Sequence, residues 1–421
     1  MLKLRKIVAI LMVSLLAAVF ATACGGGAGG GEEEITIHVF QYKVDTIDQM
    51  QALADKFAEQ YEGANLTILV ETIGGTGDYE GALAVRFAAD DIPDLFALGG
   101  SHLIEIYKEH LVDLSGEPWL DNVVDGLLDP VWFGDQMFGQ PLAIEAYGYI
   151  YNADIFEELG LTAPTTFSEL VAVAEALDAA GIRAFSCGYA EWWVIAQHFF
   201  NGAMLVHAGP DFVANVGITE TFASQQQLMD EMVQLLQLTA RFGGDEATLA
   251  IDYNTSLSDF ANGRAAILQQ GTWIQPTIDE MNPDLNVGLF GFLTNDGPDT
   301  GRVPVGNAGY WVVSNTSEHI DIVKEFLNFM ATDEYAINSI INDFQMIPAF
   351  TGVEYDLSTL GSVFAVLQPH IEAGNTSEWL WENLPAGFGE LFHSAFQQTA
   401  IGMMDAEELA AELDRLVEGA R

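Results

Sequence analysis

The chain has 421 residues, of which 61 are Asp or Glu and only 14 are Lys or Arg, a formal charge of −47. So acidic a polymer does not hold nucleic acid by phosphate neutralisation, nor is it drawn to an anionic lipid surface. Half of the residues are hydrophobic and 11% aromatic, with the acids dispersed, which excludes a disordered chain and points to a packed core of two or three domains.

Residues 1–23 read as an export signal. Lys3, Arg5 and Lys6 form a positive start, and residues 7–20 an apolar run shorter than the roughly 18–20 residues that span a bilayer. Small residues Ala21, Thr22 and Ala23 lead into Cys24. The run resembles the lipobox of bacterial lipoproteins, with Ala21 where Leu is usual; that resemblance implies lipidation of Cys24. An ordinary cleaved signal with an incidental Cys is the alternative. Residues 24–34 then form a lipidated Cys and Gly-rich tether. Cys187, the remaining thiol, has no intramolecular partner and reads as part of a buried strand at 184–187. The body is expected outside the cytoplasm, held to the membrane by the lipid anchor alone.

From there, alternation marks a strand at 35–40. A helix follows over 48–61, with Leu53, Phe57 and Tyr61 on one face. A strand at 66–72, a helix at 79–89, a short buried strand at 93–98 and a helix at 101–110 continue the alternation, which argues for an α/β sheet covered on both faces. Residues 139–152 are extended. A helix over 153–159 stops at Gly160, and Thr166 with Glu169 forms a capping box for the next, which runs to about 180. Helices are predicted at 191–200, 223–239 and 317–330, and the last 65 or so residues read as almost wholly helical. No linker cuts the body in two, so any two lobes are interleaved.

Several stretches carry a family resemblance. Residues 139–156, from Gly139-Gln140-Pro141 through Glu145 and Tyr151-Asn152 to Phe156, are followed by the Thr166-Phe167-Ser168-Glu169 cap. Phe260-Ala261-Asn262-Gly263-Arg264-Ala265-Ala266-Ile267 precedes Gly271-Thr272-Trp273. Gly306-Asn307-Ala308-Gly309-Tyr310-Trp311 precedes a Lys324-Glu325-Phe326-Leu327 helix, and Met403-Met404-Asp405 opens the last one. In this order they resemble family 1 extracellular solute-binding proteins, the maltose-type sugar receptors of ABC importers. The resemblance implies a two-lobed periplasmic-binding-protein-like fold of type II, with lobe 1 at 35–144 plus 306–346 and lobe 2 at 145–305 plus 347–421. It also implies a multi-strand hinge with crossovers near 143–147, 303–308 and 345–350, and delivery to a permease.

A sugar presents C–H faces that lie on aromatic planes and a rim of hydroxyls, so its site needs flat rings and fixed polar acceptors in a cleft. By the resemblance, Glu145 is the acceptor carboxylate and Trp273 the stacking ring, with Tyr147 beside Glu145 at the first crossover. Tyr42 and Asp45 follow the first strand, Asn307 and Tyr310 sit at the second crossover, and Trp192 and Trp193 open a helix with at least one facing the core. Trp379 and Trp381 share a face if extended. Asp78 ends a Gly-rich loop that lacks the dinucleotide fingerprint. No motif for a hydrolase, nucleotide or zinc appears, so a binding protein without cofactor or metal, monomeric and not an enzyme, is expected. A receptor for a cationic ligand such as a polyamine, or an exported glycoside hydrolase, are the other readings.

Overall fold

The structure, a computed structural model, describes residues 33–420 apart from 75–77, 142, 354 and 385–387. The proposed signal and Cys24 lie outside the described residues, as do Gly75, Thr76 and Gly77 of the Gly-rich loop.

Period-two alternation places Ile35, Ile37 and Val39 on one buried face of the strand Glu34–Gln41. This strand pairs in parallel with Asn65–Thr72 along its length and with Leu95–Leu98 on its other edge. Parallel neighbours need crossovers, and the helices Ile47–Gln60 and Tyr79–Ala88 lie in them. Ile47–Gln60 turns Met50, Leu53, Ala54 and Phe57 inward. Tyr310–Val313 returns from far along the chain to pair antiparallel with Leu95–Leu98, and Gln140–Pro141 completes five strands.

The second sheet has seven strands built on Ala143–Asn152. The first half of that strand pairs with Val303–Asn307 and Ile347–Pro348, and the second half with Ala265–Gly271 and Val287–Phe290. Arg183–Ser186 lies parallel to Ala265–Gly271, and Thr376–Ser377 pairs with Val303–Asn307.

Two hydrophobic cores result. Ala143 packs in the first and Ala146, three residues later, in the second. Val303 belongs to the second core and Tyr310 to the first; Ile347 is in the second and Ala349 in the first. The chain thus passes between two lobes at adjacent antiparallel strand segments. The second core also holds the helices Gln226–Gly243, Phe388–Ala400 and Ala406–Ala420.

The local expectations need four corrections. The predicted helix at 191–200 is wound in π turns over Trp193–His198, and a second π stretch covers Asn201–Leu205. The capping box is widened: Thr166 accepts from the Glu169 amide, and the returning Glu169 carboxylate also takes the Thr165 amide at 2.8 Å. Cys187 is buried just past its strand, Arg183–Ser186, and burial pushes its thiol up to about 12. The carboxy-terminal region is interrupted between Ser362–Glu372 and Phe388–Ala400 by the short strand Thr376–Ser377 and the single 3-10 turn Leu380–Asn383, with Trp379 at the start of that turn and Trp381 within it.

Candidate functional site

A cavity of about 220 Å³ lies between the two cores. Tyr42, Lys43 and Asp45 enter it from the turn after Glu34–Gln41, and Tyr79 and Glu80 from the first turn of Tyr79–Ala88. Facing them from the second lobe are Trp192, Trp193, Gln197 and His198 on the π-wound helix. Tyr253, Trp273, Trp379, Trp381 and Glu390 complete that wall.

The wall from the second lobe is rich in aromatic rings. The His198 imidazole stacks on Tyr147 with centroids 4.4 Å apart and planes 17° apart. Trp273 and Trp381 each lie 5.1 Å from it and Trp193 5.3 Å. Trp379 and Trp381 stack on one another at 4.7 Å. Burial, reinforced by the positive charge of Lys43, lowers the His198 pKa to about 3, so the ring is a neutral, flat member of the box at any ordinary pH.

Local structure explains how six large rings converge. A Cβ at Gly271 would lie 2.2 Å from the Trp273 ring, and one at Gly306 2.5 Å from that of Trp379; only glycine lets these indoles lie across the strand ends. Trp273 is fixed by donating from Nε1 to the Gln270 side chain at 3.0 Å. Asn201, fully buried, accepts from the Leu380 amide at 2.8 Å and donates to the Glu378 carbonyl and to the Tyr147 hydroxyl. One side chain therefore ties the strap bearing Trp379 and Trp381 to both the π-wound helix and the hinge strand. Glu191 accepts from the Tyr253 amide at 3.1 Å and so holds that ring at the wall.

The floor is charged. The Lys43 ammonium donates to both oxygens of Glu145, each at 2.6 Å, and stands 5.8 Å from the centre of the Trp273 ring. Burial raises the Glu145 pKa, Lys43 opposes the shift, and the charge of Asp45 adds to it. Asp45 is likewise raised by burial against the pull of Lys43, and its Oδ2 has no partner among the described residues. The Tyr253 hydroxyl and the indole N–H groups of Trp379 and Trp381 are also buried without partners there. At the rim, burial and then the charge of Glu390 raise Glu80 to about 7; burial and the charge of Asp78 raise Glu390.

The structure brings eight of the sequence candidates to this cavity: Tyr42, Asp45, Glu145, Trp192, Trp193, Trp273, Trp379 and Trp381. Four do not line it. Tyr147 is buried behind the rings and supports them. Asn307 turns its amide to the Gly309 carbonyl at the hinge, and Tyr310 is buried in the first core with its hydroxyl donating to the Leu127 carbonyl at 3.0 Å. Asp78 caps its helix by accepting from the Gly81 amide. Two finer expectations change as well. Glu145 is not an open acceptor but half of an ion pair, and neither Trp192 nor Trp193 is core, since both are half-buried at the wall. Lys43, His198, Tyr253, Glu80 and Glu390 were missed. Lys43 is adjacent in sequence to Tyr42; the others had no motif to mark them.

Residues 43–337 match the model of the bacterial extracellular solute-binding proteins. The chain belongs to this family. It is 24% identical to the multiple sugar-binding protein of Streptococcus mutans over 75% of this chain and 76% of that one. It is also 24% identical to the melibiose/raffinose/stachyose-binding protein of Bacillus subtilis over 69% of each. Among solved structures, a chitin oligosaccharide binding protein superposes with a TM-score of 0.77 at 18% identity, covering 92% of this chain and 99% of that one. The solute-binding protein RafE, solved with raffinose, gives 0.75 at 19% identity, covering 92% and 99%. The solute-binding proteins are binders, not enzymes, and this two-lobed chain has their fold. Among its described residues no helix is long and apolar enough to cross a membrane.

Proposed function

We propose that this solute-binding protein is the capture subunit of an ABC importer and takes a sugar or oligosaccharide between its lobes. The observation that carries the reading is the box of Trp193, His198, Trp273, Trp379 and Trp381 facing polar groups of the other lobe across one cavity. Ring faces of a saccharide lie on the indoles, and its hydroxyls meet the Trp379 and Trp381 N–H groups, the Tyr253 hydroxyl and Asp45. Contacts to both lobes favour a closed form, which the permease reads; the ligand shifts that balance only by its better affinity for the closed state. The lobes are taken as 35–144 plus 306–346 and 145–305 plus 347–421. Residues 1–23 direct export, and a lipid on Cys24 holds the monomeric receptor at the membrane; Cys24→Ala should release it from the membrane fraction.

A thermal-shift screen of sugars and polyamines identifies the ligand, since a molecule that binds only the native state raises the melting temperature. With that ligand, Trp273→Ala should weaken binding by about 1–3 kcal/mol in calorimetry while the circular dichroism spectrum is retained. Equal affinity in the variant would remove Trp273 from the site.

A further inference from the structure

The cavity holds more acid than it neutralises. Among the described residues its one lysine, Lys43, is committed to Glu145, and no arginine lines it. Asp45, Glu80 and Glu390 remain, the first two from one lobe and the third from the other. Independent of these acids, Tyr253 is 5% exposed and Trp381 6% exposed, both at the cavity wall, and the Tyr253 hydroxyl and the Trp381 indole N–H have no partner among the described residues. Those groups call for a hydroxylated ligand. The protein's own ammonium, on Lys43 and over Trp273, shows that the box accepts that ion.

We propose that the captured saccharide bears a free amine, an amino sugar whose ring lies in the indole box and whose ammonium sits between Glu80 and Glu390. This rests on the saccharide reading above and adds a charge to it. A neutral sugar leaves the acids of the two lobes facing one another as the cavity closes, whereas an ammonium between them joins the lobes. A linear polyamine satisfies the acids but forfeits the ring stacking. Glu80, raised to about 7 by burial and Glu390, would be drawn down by the ammonium, so its carboxyl is ionised in the complex at neutral pH.

Calorimetry at neutral pH tests this with a β-1,4-linked glucosamine trimer, its fully N-acetylated twin, raffinose and spermidine. The amine trimer should bind at least about tenfold tighter than its acetylated twin at low salt, a difference of about 1.4 kcal/mol. That ratio should shrink at about 0.5 M NaCl, and fall to near one in the E80Q/E390Q variant. An acetylated trimer that binds as tightly as the amine, or a ratio untouched in the variant, overturns the proposal while leaving the saccharide receptor intact. Spermidine binding tighter than the amine trimer overturns its saccharide part. Binding of no saccharide at all would instead sink the reading beneath it.

Discussion

At the residue scale, the Lys43–Glu145 pair decides the chemistry of the floor. Glu145 is 1% exposed, so its charge is tolerable only while Lys43 supplies both hydrogen bonds. Lys43→Met should therefore destabilise the fold by about 3 kcal/mol in urea titration, with the K43M/E145M double variant recovering most of that loss because no buried charge is left alone. Recovery failing would mean that the pair matters through packing more than through charge. The sequence pointed at Glu145 through family resemblance but not at its partner, because nothing along the chain shows that residue 43 meets residue 145. Asn201 was invisible for the same reason. It looks like a helical residue, yet it satisfies one amide and one carbonyl of a strap some 180 residues later. Asn201→Ala strands those backbone groups, at about 1–3 kcal/mol. It should cut ligand affinity by loosening Trp379 and Trp381, read by calorimetry together with their fluorescence.

At the element scale, the two π stretches matter most. An α-helix would have carried Trp193 and His198 five residues apart onto diverging directions; the wider turn brings both rings to one wall. Such a winding has no reliable sequence signal, which is why 191–200 read as an ordinary helix. The helices Tyr79–Ala88 and Phe388–Ala400 form the opposing rims, each presenting an acid, Glu80 or Glu390. Glu80 has a folded-state pKa of about 7 against an ordinary 4.5, so the folded protein binds the proton more tightly than the unfolded chain. The associated stability is fully present below about 4.5 and lost as pH rises through 7. Glu80→Gln should thus raise the melting temperature at pH 8 and leave it unchanged at pH 4. A gain of the same size at both values would assign the effect to something other than titration.

At the scale of the whole molecule, strand and helix alternation was legible because the first lobe follows period-two and period-3.6 patterns closely. The order of the sheets was not. Tyr310–Val313 joins a sheet whose other main strands lie more than 200 residues earlier, and only the resemblance foretold that return. The surface acidity, 61 acids against 14 bases, has a further consequence. Self-repulsion opposes the compact state and is screened by salt. Raising NaCl from about 0.05 to 0.5 M should raise the melting temperature of the ligand-free protein; a fall would show that its few ion pairs outweigh the repulsion.

The strand Ala143–Asn152 belongs to both cores at once. Neither half of the molecule is accordingly a module that evolution or a protein engineer could lift out whole. A cut placed anywhere along it breaks the central strand of the seven-stranded sheet and the chain's passage from one core to the other. Heat or urea should meet one melting event, with the halves surrendering together.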